Sequence, residues 1–161
     1  SAVGYMSLHQ HDINAMPLWT YFQSVLRWAM DTFNMKKFKK IMKGLDWAKF
    51  YDEYHEKVLD IKAMEKQIID LIGDDEIQKQ QGIIPYVLTG DEHYLDLRVF
   101  PDKIKLAVWE KQNHKCAICG KEFDYQFMEG DHISPWRDGG RTEVKNCQML
   151  CRECNRRKGS K

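Results

Sequence analysis

The sequence predicts an α+β protein: a mostly helical N-terminal region over residues 1–100, then a small metal-binding unit of two strands and a helix over residues 101–161. Three observations carry this. Apolar residues recur every three or four positions through the first hundred residues, the period of helices with one buried face. Cys-x-x-Cys occurs twice near the end, as Cys116/Cys119 and Cys151/Cys154. Between the pairs lie two short strand-like stretches, separated by a Pro and a Gly-Gly loop.

Leu18, Trp19, Phe22, Val25, Leu26, Ala29 and Phe33 make one broad apolar helix face. Met35, Phe38, Ile41 and Met42 predict a shorter helix, which Gly44 is placed to end. Trp47, Phe50, Tyr51, Tyr54 and Val58, then Ile61, Met64, Ile68 and Leu71, predict one long helix or two abutting ones, broken at Gly73-Asp74-Asp75. The apolar stretch 83–88 contains Pro85, which is barred from a helix interior, so an extended connector is expected. Thr89-Gly90-Asp91-Glu92 has the form of a capping box and predicts a brief helical turn. The run Lys36, Lys37, Lys39, Lys40 and Lys43 reads as the wet side of an amphipathic helix.

From Phe100 the character changes. Pro101 suits a first helical turn, and Ile104, Val108 and Trp109 give a packing face to about Gln112. Residues 116–120 form a knuckle whose Gly lets both sulfurs turn inward. Residues 129–134 and 146–150 read as strands, joined by the loop with Pro135 and Gly139-Gly140. Residues 151–158 read as a closing helix ended by Gly159.

The two cysteine pairs complete a tetrahedral Zn²⁺ site from Cys116, Cys119, Cys151 and Cys154. The 31 residues between Cys119 and Cys151 exceed what a simple zinc ribbon needs, and they hold Asp131-His132 and Asn146. The second pair runs directly into Asn155. A purely structural zinc loop has no use for a carboxylate beside an imidazole and a nearby carboxamide; a metal-dependent hydrolase does. Cys151, Cys154 and Asn155 fall on one helix face at i, i+3 and i+4. Asp131 and His132, neighbours on a strand, leave it on opposite faces. Asp131 can meet Asn155 across the strand–helix gap, and such oxygen ligands suit Mg²⁺ or Mn²⁺. His132, titrating near neutrality, suits a general base, brought round by a bend at Ser134-Pro135.

The stretch DHISPWRDGGRTEVKNCQMLCRECNRRK resembles an HNH endonuclease of the zinc-stapled ββα-metal kind. Over roughly residues 101–161 the resemblance implies His132 as general base, with Asp131 and Asn155 holding a catalytic divalent ion. It implies Asn146 as the brace that orients His132, and the four cysteines as ligands of structural zinc. Cleavage of DNA to 5′-phosphate and 3′-hydroxyl ends would follow. A further stretch, GIIPYVLTGDEHYLDLRVF, resembles the C-terminal half of two-part prokaryotic proteins of restriction and phage defence whose front half is a DUF262 domain. Residues 16–72 would then be a linker or docking platform. Ser1-Ala2 in place of an initiating Met reads as a trimmed chain.

The net charge of +1 hides an asymmetry. Residues 111–161 carry 11 Lys and Arg against 7 Asp and Glu, and residues 1–110 carry 14 against 17. A mild basic excess thus sits with the cysteines, as expected of a part that meets phosphates and equally of a solvated basic face. Arg141, Arg156, Arg157 and Lys158 are the candidates for that contact. Trp136 reads as a lid on the loop, His114 as exposed, and Cys147 as a small buried hydrophobe. No secretory signal, membrane span or lipidation motif is visible, and paired thiols in Cys-x-x-Cys spacing point to a reducing cytoplasm, which the upstream resemblance implies is prokaryotic. The competing reading is a non-catalytic zinc module that grips nucleic acid or protein.

Overall fold

A computed structural model describes residues 7–11 and 13–159, so Ser1-Ala2 lies outside the described residues. The chain forms two units, Ser1–Gly73 with Gln80–Asp91, and Asp74–Lys79 with Glu92–Lys161. The second unit therefore begins further upstream than the boundary at 101 that the sequence predicts. It takes in residues 92–100 and also a six-residue segment, Asp74–Lys79.

The first unit is helical: α1 Met16–Thr32, α2 Met35–Met42, α3 Trp47–Tyr54, α4 Ile61–Ile72 and α5 Ile83–Thr89. Caps explain the starts. Asn34, Asp46 and Asp60 each accept a hydrogen bond from the backbone N–H three residues on, at 3.3, 3.2 and 3.0 Å, which satisfies a donor that the helix leaves unpaired. The cap at Asp60 makes α3 and α4 two helices rather than one. Phe33, Ile68, Ile83 and Ile84 are among the most deeply buried side chains of the unit.

Two expectations are corrected here. Residues 83–88 are helical and not an extended connector, because Pro85 stands at the third position of α5. The first turn of a helix has no carbonyl four residues back for its N–H groups, so a proline there loses nothing. The broad apolar face of α1 is only half covered. Val25, Ala29 and Phe33 are buried, whereas Leu18, Trp19, Phe22 and Leu26 are 40–51% exposed.

The second unit holds α6 Asp102–Lys111, β1 Met128–His132, β2 Cys147–Cys151 and α7 Arg152–Gly159. The strands pair antiparallel, from Met128 opposite Cys151 to His132 opposite Cys147. Both faces of this two-stranded sheet are covered, since the neighbours Met149 and Leu150 are both fully buried and must point oppositely. Phe100, Val108, Cys116, Met128, Cys147 and the cysteines of the second pair pack with them. The Gln112 carboxamide closes α6 onto β2, accepting from Met149 N–H at 2.9 Å and donating to Met149 C=O at 3.0 Å. Upstream, Ile77 bridges Leu97 antiparallel, and Arg98 N–H donates to Glu76 C=O at 2.8 Å. No helix among the described residues is long and apolar enough to cross a membrane.

Candidate functional site

The four sulfurs of Cys116, Cys119, Cys151 and Cys154 lie within 4.8 Å of one another. A tetrahedral zinc with Zn–S bonds of ~2.3 Å has sulfur–sulfur edges of about 3.8 Å, so the cluster needs only slight contraction to close on an ion. The knuckle is shaped by backbone bonds: Gly120 N–H donates to Cys116 C=O, and Ala117 N–H ties it to Met149 C=O of β2. Cys151 ends β2 and Cys154 sits in the first turn of α7, so the second pair straddles a strand–helix junction. The expectation that Cys151 shares the helix with Cys154 is corrected by that junction.

Electrostatics favour a cation at this centre. Burial pushes the Cys116 thiol up, but N–H groups of Cys119, Cys151 and Ile118 outweigh it and lower its pKa to about 6. Burial, then the neighbouring sulfurs of Cys154 and Cys116, push Cys151 up. A divalent ion is what lets all four stand as thiolates together. Cys147 is outside the cluster and buried, and burial with the Asp131 charge raises its pKa to about 11. It is the inert hydrophobe expected.

The faces of β1 separate the other candidates. Glu129 and Asp131 point to α7, where Glu129 Oε2 accepts from Asn155 Nδ2 at 2.7 Å and Asp131 accepts from Lys158 Nζ. Met128, Gly130 and His132 point to the α6 side. The His132 ring lies 4.3 Å from that of Phe100, centroid to centroid. Asp131 and His132 thus leave the strand oppositely, as expected. The carboxamide of Asn155 meets Glu129, two residues before Asp131 on the same face, while Asp131 is held by Lys158 and by Gln148 Nε2 at 2.8 Å.

Asn146 sits at the base of the loop. Its Oδ1 accepts from Ser134 N–H at 2.8 Å, and its Nδ2 donates to Ser134 C=O at 3.0 Å and Arg141 C=O at 2.9 Å. Its own C=O accepts from Ile133 N–H. The side chain that reaches the His132 ring is Thr142, whose Oγ1 lies 3.1 Å from Nε2. Burial pushes the His132 pKa below its ordinary value; Asp131 and Glu76 oppose this, and Lys158 adds to it. That lowering favours the neutral ring, the form able to take a proton.

Of the cationic candidates, Arg141 pairs with Asp74 and Lys158 with Asp131. Arg157 donates to Cys154 Sγ at 3.3 Å. Trp136 donates from Nε1 to Asp74 Oδ2 at 2.9 Å, so the loop is anchored on the Asp74–Lys79 segment. Burial pushes the Asp74 carboxyl up, but hydrogen bonds from Glu76 N–H, Trp136 and Arg141 hold it below the ordinary range. His114 stacks on Trp109 at 3.8 Å, away from the sulfurs.

Sequence reasoning missed Glu129, Thr142, Asp74 and Glu76. Period-two alternation along β1 would have found Glu129, since it shares the face of Asp131. No spacing signal marks Glu76, which is brought in from 56 residues before His132.

The model of the family described as HNH endonuclease matches residues 116–161, from the first knuckle cysteine through both strands and α7. No curated protein and no solved structure matches the chain. The C-terminal part of this protein is an HNH domain attached to a helical unit.

Proposed function

We propose that the HNH domain is a metal-dependent DNA endonuclease, with His132 as general base. The observation that carries this is the seating of His132. A neutral, partly buried imidazole stands at the end of β1, fixed by Phe100 and Thr142, next to Asp131 and above a loop braced by Asn146. Water attacks phosphorus as its proton passes to His132; the bond to the 3′-oxygen breaks and that oxygen takes a proton from solvent water, leaving 5′-phosphate and 3′-hydroxyl ends. Such a positioned base contributes roughly 10²–10⁴-fold in rate.

Glu129, Asp131 and Asn155 offer oxygen donors on one face, a set that suits Mg²⁺ or Mn²⁺. The Lys158 ammonium, held by Asp131 and by His132 C=O, stands in for a cation there. When bound, the divalent ion supplies stabilisation of the charge that develops on the phosphate and the leaving oxygen. Asp131 and Asn155 are the ligands proposed for it, with Glu129 either a third ligand or the partner that orients Asn155. Zinc on the four cysteines is structural. It holds α7, and so Asn155, against β1. Arg141, Arg156, Arg157 and Lys158 are proposed to meet the phosphate backbone, with DNA phosphates competing against the Asp74, Glu153 and Asp131 carboxylates that pair with Arg141, Arg157 and Lys158.

The upstream resemblance supports work in restriction or phage defence in a prokaryotic cytoplasm, beside a DUF262 domain. A second reading has one observation in its favour. Lys158 neutralises Asp131 in place, as it would in a zinc module that grips DNA without cutting it.

Plasmid digestion in Mg²⁺, Mn²⁺ or EDTA separates the two, run beside a His132→Ala version. Metal-dependent nicking or linearisation by the wild type, lost by at least two orders of magnitude in His132→Ala with zinc content and DNA binding retained, is the expected result. Equal activity in both proteins would remove His132 as the base of the reaction, and binding without cutting would leave the second reading standing.

A further inference from the structure

The Asp74–Lys79 segment lies outside residues 116–161, yet it ends in direct contact with the loop that holds His132. Glu76 is only 8% exposed, and both its carboxylate oxygens are spent on one residue. Thr142 N–H donates to Oε1 at 3.0 Å, and the Thr142 hydroxyl donates to Oε2. Glu76 is pinned along its backbone as well: its N–H donates to Asp74 Oδ1 at 3.0 Å, and its C=O accepts from Arg98 N–H at 2.8 Å. Burying a carboxylate to serve a single threonine costs more than an apolar side chain in the same place would. The expense is intelligible if Thr142 must be held in one sense.

That sense follows from counting protons. A threonine hydroxyl has one hydrogen and two lone pairs. A carboxylate only accepts, so the Thr142 hydrogen goes to Glu76 or to the other acceptor in reach, Arg98 C=O at 3.2 Å. Toward His132 Nε2, 3.1 Å away, the oxygen therefore presents a lone pair, and Nε2 must carry the hydrogen. Neutral imidazole has one N–H, so Nδ1 keeps the lone pair. The Phe100 ring against the imidazole face limits rotation that would exchange the two nitrogens.

We propose that Glu76, acting through Thr142, is a positioning residue that fixes His132 as its Nε2–H tautomer and so makes Nδ1 the base nitrogen. This rests on the nuclease reading above for its purpose, though not for its geometry. A glutamine at 76 would not serve, because its amide N–H₂ could donate to Thr142 and turn the relay round.

The test uses the full chain loaded with zinc, with Thr142→Ser, Thr142→Val and Glu76→Gln. ¹⁵N NMR of the His132 ring, at a pH where it is neutral, reads the tautomer. Steady-state cleavage of a DNA duplex with Mg²⁺ reads kcat and KM separately. Wild type and Thr142→Ser should both show Nε2–H and comparable kcat. Thr142→Val and Glu76→Gln should show a mixture of tautomers and a kcat lower by roughly tenfold to a hundredfold, part of the ~10²–10⁴ that a positioned base contributes. KM should stay within about twofold, because the relay touches no substrate. An Nδ1–H ring in the wild type overturns the proposal, as does wild-type kcat in Thr142→Val and Glu76→Gln. A rise in KM alone also overturns it. Those failures leave the nuclease reading intact, whereas a wild type that shows Nε2–H but never cuts DNA defeats that reading and the positioning role together.

Discussion

Gly140→Ala should loosen the loop that carries Thr142, and the neighbouring glycine provides the control. A Cβ on Gly140 would stand 1.8 Å from Ser134 O, 2.7 Å from Ser134 C and 2.8 Å from Pro135 O. Ordinary contact begins at 3.4 Å, so backbone atoms must part by about 1.6 Å. Three hydrogen bonds converge there. Gly140 N–H donates to Pro135 C=O, and Asn146 both donates to Ser134 C=O and accepts from Ser134 N–H. At roughly 1 kcal/mol net apiece their loss costs about 3 kcal/mol. Gly139 differs: its φ of +83° is left-handed, but a Cβ there meets nothing within 4 Å. Gly139→Ala should cost only the backbone strain, about 1–2 kcal/mol. Urea unfolding of Co²⁺-loaded protein, followed on the Co²⁺–thiolate absorption, reports the cysteine-bearing unit alone. The expected order is wild type, Gly139→Ala, Gly140→Ala, with the last least stable. Equal losses in the two variants, or under about 1 kcal/mol for Gly140→Ala, would mean the loop relaxes freely and does not clamp Thr142.

Cys116→Ser, or zinc removal by a chelator, should unfold the second unit while most helical dichroism of the first survives, since structural zinc sites contribute about 10–16 kcal/mol in small domains; a melting curve unchanged by metal removal would contradict this. The acid limb of cleavage should have its midpoint below 6.5, the ordinary value for histidine, because burial lowers the His132 pKa and cutting is lost as pH falls through the lowered value. The same depression makes the unfolded chain bind more protons in that window, so stability should rise with pH there. A cleavage midpoint above 6.5 would place His132 in a different electrostatic setting. A fragment beginning at Phe100 should retain zinc, yet cut more weakly than the full chain, because it lacks the Asp74 and Glu76 acceptors for Trp136, Arg141 and Thr142; full-chain rates in that fragment would show the upstream segment to be dispensable.

What was legible in the sequence was whatever the chain's local geometry enforces. Two residues between cysteines suit a knuckle, and an apolar pair flanked by turn residues suits a strand, so Cys116, Cys119, Cys151 and Cys154 could be grouped without coordinates. Alternation put Asp131 and His132 on opposite faces of β1, as they are found. The caps at Asn34, Asp46 and Asp60 are equally local but went unread in the sequence, which left open whether α3 and α4 were joined. Pro85 misled because its effect depends on its distance from the helix start, and that start at Ile83 is set by packing of Ile83 and Ile84 rather than by a cap.

The partners of the site were decided only by the tertiary structure. Whether Asn155 faces Asp131 or Glu129 depends on how α7 sits over β1, a displacement of one strand repeat that no sequence spacing encodes. Which side of α1 is buried depends on the neighbours it meets, so apolar character alone could not show that Trp19 and Phe22 stay exposed. Glu76 is the clearest instance. A hydrogen bond acts over about 3 Å, while the separation of 66 positions between Glu76 and Thr142 leaves no periodic trace of their meeting. By itself the sequence determined a strand–strand–helix unit with two cysteine pairs at metal-ligand spacing and a histidine on its first strand. Only folding, which brings distant segments within hydrogen-bond reach, determined what holds that histidine.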